Sequence, residues 1–244
     1  MKTRRDVMAA FDRGQIPTIA CINKATVDLG VKFDRLIAVL QKFVDRHFAP
    51  IWGTHARLVE SDRFINDAWA MAFLDDADAA NLEGYHAVTR HRLPLSKVFV
   101  KTTLADESKV SVTACHELAE MLVDPAVNLW AEGRQSRLYA YEMSDAVEEV
   151  EFEIDGVAMS DFVYPAYFEI FRRPKSAQFD HCRKVTRPLE LLRGGYALVR
   201  HGGRVKQIFG SASKKKRFGR EDRRGHRSQY RHLGVSPSRL STAR

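Results

Sequence analysis

Runs of apolar residues predict several short strands along the chain. β-Branched and other apolar residues dominate residues 15–23 and residues 67–74, a composition typical of buried strands. Residues 55–60 predict a further strand. Residues 95–102 alternate between apolar and polar positions, and their lysines favour a strand at a sheet edge. Shorter segments of strand or loop character follow at residues 138–142, 150–154, 162–171 and 196–199.

Two stretches with apolar residues at helical spacing predict helices. Residues 32–48 form an amphipathic pattern that is expected to stop before Pro50, because proline disfavours helical geometry in the residue before it. Residues 108–125 (SKVSVTACHELAEMLVDP) predict a second helix that ends at the Asp-Pro pair. Strands with two helices predict an α+β fold, in which a mixed sheet packs against both helices and the ordered body ends near Gly210.

Length and composition fit one sizeable core or two small ones. The chain has 244 residues, of which 45% are hydrophobic and 29% charged, and this excludes a disordered chain or a collagen-like repeat. No apolar stretch approaches the roughly 18 residues of a membrane-spanning helix, and the first residues lack a signal-peptide pattern. Cys21, Cys115 and Cys182 are too few and too far apart for a disulfide framework. We therefore expect a soluble protein that is not exported.

The positive charge is concentrated in the C-terminal tail. Residues 211–244 carry eleven Lys and Arg against Glu221 and Asp222, a net +9, which leaves −1 of the total +8 for residues 1–210. With few large apolar residues, the tail is expected to be disordered. It is either a solvated appendage or a contact for nucleic acid or an acidic partner. Its densest basic cluster is Lys214, Lys215, Lys216 and Arg217.

The second predicted helix carries a histidine and two glutamates at a spacing that suits metal binding. His116 and Glu120 are four residues apart, so both project from one face and can touch a single ion. Glu117 lies about 100° around the helix, where it can reach a water molecule on that ion. The pattern is similar to the zincin motif H-E-x-x-H, whose inner glutamate is the general base. Zn²⁺ is the predicted ion. Because Glu120 replaces the second histidine and makes the site harder and more anionic, Mn²⁺ and Ca²⁺ are alternatives.

A third ligand must come from elsewhere in the chain. The segment YAYEMSDAVEEV places Glu142, Asp145 and Glu148 three residues apart. Asp145 is the first candidate and Glu142 the second. Asp124, at the predicted helix end, is a possible ligand, a group that supports the ligands, or a turn residue.

Other interpretations compete with a metal site. The His-Glu-x-x-Glu sequence also arises by chance on amphipathic helices, where the three polar side chains face solvent. Cys115 fits a packed thiol better than a ligand, because it lies on a different helix face from Glu120. His86 and Tyr85 are candidate donors for an oxyanion, although no spacing requires this role.

Seven segments between about residues 16 and 208 share patterns with a known family. They are DRHFAPIWGTHA, FLDDADAANLEGYH, LPLSKVFVKT, SVTACHELAEMLVDP, LYAYEMSDAVE, GVAMSDFVYPAYF and LRGGYALV. They resemble a family of uncharacterised bacterial and phage proteins with a zincin-like metallopeptidase signature. HELAEMLVDP followed by YEMSD is also similar to a pattern in plant phosphate-induced, exordium-like proteins and in some fungal secreted proteins. The resemblance implies a zincin-like fold, His116 and Glu120 as ligands, Glu117 as catalytic base, and Glu142 with Asp145 completing the site.

Two hypotheses on function follow. The first is a zinc-dependent peptidase or related hydrolase, in which the metal activates water, Glu117 takes its proton, and the substrate is a peptide or protein. The second is a noncatalytic binding or phage virion-associated protein whose basic tail contacts nucleic acid or an acidic partner. Salt-dependent nucleic-acid binding that is lost on deletion of residues 211–244 would support the second. The expected location is cytoplasmic or virion-associated.

Overall fold

Five strands formed largely by the apolar segments make the first of two larger sheets. The computed structural model describes residues 16–78 and 82–218. In chain order, the strands of this sheet are β1 (Thr18–Asn23), β2 (Arg57–Ser61), β3 (Trp69–Leu74), β4 (Gly84–Val88) and β5 (Pro94–Phe99). Their order across the sheet is β2-β1-β3-β5-β4, in which β4 is antiparallel to β5 and all other neighbours are parallel. The fold is α+β with a mixed sheet, as predicted.

The apolar pattern correctly predicts which strand lies at the centre of this sheet, but not which strand lies at its edge. β3 lies in the middle and is buried at every residue but its last, as expected for a continuous apolar run. The predicted edge position of residues 95–102 is wrong, because β5 lies between β3 and β4 and the chain becomes helical at Val100. Lys97 on β5 pairs with Asp78 and lies over the Tyr85 ring, which accommodates its charge inside the sheet.

The first helical region continues past the predicted stop. It comprises α1 (Phe33–Lys42), a π-helical segment (Phe43–Phe48) and α2 (Ala49–Trp52). Pro50 lies in the first turn of α2, where the missing proline N–H is tolerated. Gly53, with a left-handed φ of 69°, ends the helix instead. The expected stop before Pro50 is therefore wrong.

The second predicted helix lies in the interior of the protein. After α3 (Val100–Ala105), α4 runs over Val110–Val123 and packs against β4 and β5 on the first sheet. It also packs against β9 (Val157–Ser160), which forms a hairpin with β8 (Glu151–Ile154). The Ser111 hydroxyl donates a hydrogen bond to Ala158 O (2.7 Å), which fastens the helix to β9. One apolar core joins α1, the first sheet, α4 and the hairpin.

A second, four-stranded sheet completes the fold. Its strands are β6 (Trp130–Glu132), β7 (Leu138–Ala140), β10 (Tyr196–His201) and β11 (Arg204–Phe209), in the order β11-β10-β7-β6. In the two described ranges, no helix combines the length and apolar character needed to cross a bilayer.

The regular structure extends beyond the predicted boundary at Gly210. Ala212–Phe218 forms helix α5. Lys214 on this helix is only 5% exposed, and its Nζ lies 2.7 Å from Glu148 Oε2. The prediction that the chain is disordered from residue 211 onward is therefore wrong for this helix, because a buried ion pair attaches it to the rest of the fold. The remainder of the tail lies outside the described residues.

Candidate metal centre

Three polar side chains of α4 point into the protein and not into water. His116, Glu117 and Glu120 are 8%, 6% and 4% exposed. His116 Nε2 lies 3.2 Å from Glu120 Oε1, as expected for residues one helical turn apart. Burial on every side of α4 contradicts the interpretation of these residues as a solvated face. A buried carboxylate needs a cation or several hydrogen-bond donors, so burial itself favours a binding site.

The segment after β7 brings two further carboxylates to α4. Asp145 Oδ1 lies 3.2 Å from His116 Nε2, and the Ser144 N–H donates to Glu120 Oε1 at 3.4 Å. One potential ligand atom from each of His116, Glu120 and Asp145 lies within 4.8 Å of the others. The structure therefore brings together the predicted ligands with the first-choice candidate, Asp145.

A glycine just before β10 allows the segment that carries Asp145 to approach. A Cβ added at Gly195 would lie 2.1 Å from the carbonyl oxygen of Ala146, the residue after Asp145. No larger residue fits at position 195 without moving the backbone that carries Asp145. The Gly-Gly sequence before β10 thus helps to position the candidate ligand.

His86 on β4 is the residue that sequence reasoning did not place among the ligands. Side chains alternate along a strand, so Tyr85 and His86 point to opposite faces of the sheet. The Tyr85 hydroxyl donates to Asp78, whereas the His86 ring is 5% exposed and lies over α4. Of the two suggested oxyanion donors, only His86 faces the site.

The His86 ring makes three contacts with carboxylates of the site. Its Nδ1 lies 3.4 Å from Glu120 Oε2 and 3.7 Å from Glu117 Oε2, and its Nε2 lies 3.8 Å from Glu142 Oε2. His86, Glu120 and Glu142 form a second group of potential ligand atoms within 4.8 Å of one another. The second-choice candidate, Glu142, therefore belongs beside His86.

Burial and mutual interaction shift the protonation of the whole cluster. Burial lowers the pKa of His116, but the facing carboxylates of Glu120 and Asp145 outweigh it and raise that pKa well above its usual value. The pKa of His86 is raised in the same way, against the effect of burial, mainly by Glu142. Burial raises the pKa of Glu117, and burial together with Glu120 raises the pKa of Asp145 to about 7. The two histidines therefore carry the compensating positive charge when no ion is bound.

The donor set fits a divalent metal. His86 Nε2 and Glu117 Oε2 are buried atoms without a hydrogen-bond partner, and both face the site. An unsatisfied buried polar atom costs about 1–3 kcal/mol, and a cation that displaces the His86 proton would offset this cost. Imidazole nitrogens with carboxylate oxygens suit Zn²⁺, and the carboxylates also suit Mn²⁺.

Two other acidic candidates have different partners. Both carboxylate oxygens of Asp124 accept backbone N–H groups, from Asn128 at 2.8 Å and from Leu129 at 2.9 Å. Asp124 therefore fixes the turn after α4, which was one of its three predicted roles. Glu148 pairs with Lys214, so it is not a ligand of either group.

Cys115 is a packed thiol, as predicted. It is fully buried, its Sγ donates to Ser160 O at 3.8 Å, and burial raises the pKa of the thiol. A thiol held in the neutral form is a poor metal ligand.

The predicted basic cluster is divided by the structure. Lys215 and Lys216 are exposed, whereas Lys214 is buried against Glu148 and Glu149. Lys214 is therefore removed from the residues available to nucleic acid or another anionic partner. The side chain of Arg217 lies outside the described residues.

Comparisons with protein-family models, curated proteins and solved structures give no match. The geometry of the site is therefore the basis on which a function can be proposed.

Proposed function

We propose that this protein is a zinc-dependent hydrolase with a zincin-like site, and specifically a metallopeptidase. The observation that carries the proposal is the buried convergence of His116, Glu120 and Asp145 beside Glu117. Three protein ligands leave a coordination position open, which is the arrangement of catalytic zinc sites.

The proposed mechanism assigns separate roles to the ligands and to the base. His116, Glu120 and Asp145 would hold the ion, which would supply Lewis acidity to activate water and polarise an amide carbonyl. Glu117 takes the proton of the attacking water and returns it to the leaving amine. Its burial raises its pKa, which makes this carboxylate a stronger base.

Two features prepare Glu117 for this role. A Cβ added at Gly84 would meet Glu117 Oε1 at 3.0 Å, so the glycine at the start of β4 gives this carboxylate its place. On the other side, His86 Nδ1 lies 3.7 Å from Glu117 Oε2 and restricts its orientation.

A cavity of about 10 Å³ lies beside Glu142 and Asp145 and is lined by Tyr139, Tyr167 and Tyr196. This is about the space that one water molecule needs.

The proposal is tested by separating metal binding from turnover. Wild type, His116→Ala and Glu117→Gln are purified without a tag and compared for zinc content and for cleavage of a quenched fluorescent peptide library. We expect His116→Ala to lose the zinc ion held by His116, Glu120 and Asp145 together with the activity. Glu117→Gln should keep that ion while its kcat falls by about 10²–10⁴-fold.

Glu153→Gln, an exposed glutamate on β8, is the matched control and should behave as wild type. Undiminished cleavage by Glu117→Gln would rule out this base. Absence of metal from the wild type after reconstitution would rule out the site.

A further inference from the structure

We infer that the site binds two metal ions and that Glu120 bridges them. The inference deepens the proposed function, since it concerns the same site, but it does not depend on a peptide being the substrate. His116 with Asp145 would hold the first ion, and His86 with Glu142 the second.

The orientation of Glu120 is the first argument. Its two oxygens face different histidines, with Oε1 at 3.2 Å from His116 Nε2 and Oε2 at 3.4 Å from His86 Nδ1. A ligand for a single ion needs only one of these oxygens or directs both to the same ion. A carboxylate that bridges two metal ions has one oxygen beside each of two different ligands, and Glu120 is oriented in this way.

The remaining ligands divide in the same way. Asp145 lies against His116 and Glu142 lies against His86, so each histidine has its own carboxylate besides Glu120. Each set contains one imidazole, one private carboxylate and one oxygen of Glu120. The two sets, or half-sites, differ in the histidine: His116 faces both of its carboxylates with Nε2, whereas His86 faces Glu120 with Nδ1 and Glu142 with Nε2.

The charge of the fully ionised cluster matches two divalent ions. Glu117, Glu120, Glu142 and Asp145 are all buried, with exposures of 3–8%, and they carry four negative charges when ionised. One divalent ion bound to neutral histidines leaves two of these charges uncompensated in the interior. Two divalent ions balance all four. Uncompensated buried charge is strongly unfavourable, so the remaining two charges need either protons or a second ion, and the second ion is the alternative that we infer.

One unsatisfied atom lies in the second half-site. His86 Nε2 is buried, has no hydrogen-bond partner and faces Glu142 Oε2 at 3.8 Å, a distance too long for a hydrogen bond. A cation that accepts the electron pair of His86 Nε2 would satisfy this nitrogen. Paired metal ions polarise a carbonyl or phosphoryl group and activate water from opposite sides, so the site suits hydrolysis of amides or esters.

The stoichiometry of zinc binding tests the inference. Full-length, tag-free protein is stripped of metal, titrated with Zn²⁺ alone, dialysed and measured by mass spectrometry of the bound metal. We expect about two ions per chain in the wild type and about one in both His86→Ala and Glu142→Gln. His116→Ala should also keep about one, in the other half-site. His201→Ala, an exposed histidine at the end of β10, is the control and should keep two.

The outcomes separate this inference from the proposed function. One ion in the wild type, unchanged in His86→Ala and Glu142→Gln, overturns the second ion and leaves the single-zinc hydrolase intact. Two ions without cleavage of any peptide support the inference and overturn the peptidase. No ion in the wild type overturns both. Should His86→Ala fail to fold by circular dichroism, wild type and the isosteric Glu142→Gln still decide.

Discussion

Burial distinguishes His116, Glu117 and Glu120 from the same residues on an ordinary surface helix. On a solvated face, water satisfies each polar group and the spacing has no consequence. In the interior, every charge must be neutralised or paired, because transfer of an uncompensated charge from water is very costly. Because these three side chains are only 4–8% exposed, the common His-Glu-x-x-Glu pattern here favours a metal-binding site.

Asp124 illustrates how a buried acid in the same helix can have a purely structural role. Asp124→Ala removes the acceptor of two backbone N–H groups, so we expect a loss of roughly 1–3 kcal/mol in the free energy of unfolding. Bound zinc per chain should not change. Urea denaturation and metal analysis of the same preparation check the two statements.

The conservative variant gives the control for this prediction. Asp124→Asn keeps one acceptor oxygen and should lose less stability than Asp124→Ala. Zinc loss in either variant without a matching loss of stability would show that Asp124 is a ligand after all.

At the scale of the elements, two buried aspartates form a pair away from the metal ligands. They are Asp161, which follows β9, and Asp180. Asp161 Oδ1 accepts the N–H groups of Phe162 and Cys182, and Asp180 Oδ1 accepts that of Val185. Burial, and the facing Asp180 carboxylate, raise the pKa of Asp161 from 3.8 to about 8. We therefore expect the two carboxyl groups to share one proton below about pH 8.

This pair predicts a pH dependence of stability. The raised pKa means that the folded protein binds a proton that the unfolded chain releases above about pH 4. Stability from this group is complete below that pH and is lost as the pH rises toward about 8, by at most about 1.4 kcal/mol per pH unit. Asp161→Asn keeps the Oδ1 acceptor and a donor to Asp180, so the variant should not show this loss.

The measurement is the difference in unfolding free energy between wild type and Asp161→Asn from pH 5 to pH 8 with metal present. We expect the variant to gain relative to wild type as the pH rises. Asp62→Asn, an exposed aspartate before β3, serves as control. A difference that stays constant across this range would contradict a shared proton.

The elements also show which parts of the site a sequence can predict. His116, Glu117 and Glu120 were predictable because helical spacing is a local property that fixes which side chains share a face. Glu142 and Asp145 could be nominated from their spacing, but their division between two histidines depends on tertiary contacts. His86 could not be identified as a ligand, since its position depends on the antiparallel pairing of β4 with β5. The short β4 has no distinctive alternation, and it was not predicted as a strand.

At the scale of the whole molecule, the site connects parts that are far apart in the chain. His86 comes from the edge of the first sheet, Glu120 from the central helix, and Glu142 and Asp145 from the segment that leaves the second sheet. The ion or ions would therefore cross-link both sheets through α4. Lys214 extends the same assembly to α5 through Glu148, so a deletion meant to test the basic tail should begin after residue 218.

This arrangement predicts that metal stabilises the entire fold. Without metal, four buried carboxylates repel one another and are compensated only in part by the two histidines. With metal, binding to the folded state alone adds about 2.7 kcal/mol when free Zn²⁺ is 100 times the dissociation constant. The melting temperature should therefore fall on treatment with EDTA and rise again with added Zn²⁺. Thermal unfolding followed by circular dichroism measures this shift, and His201→Ala should show the same shift as the wild type.

In Glu120→Ala, which lacks the ligand common to both groups, the response of the melting temperature to Zn²⁺ should be nearly abolished. If neither EDTA nor Zn²⁺ changes the melting temperature of the wild type, the cluster is a network of buried acids and histidines that share protons. The hypothesis of a metal-dependent enzyme would then be contradicted.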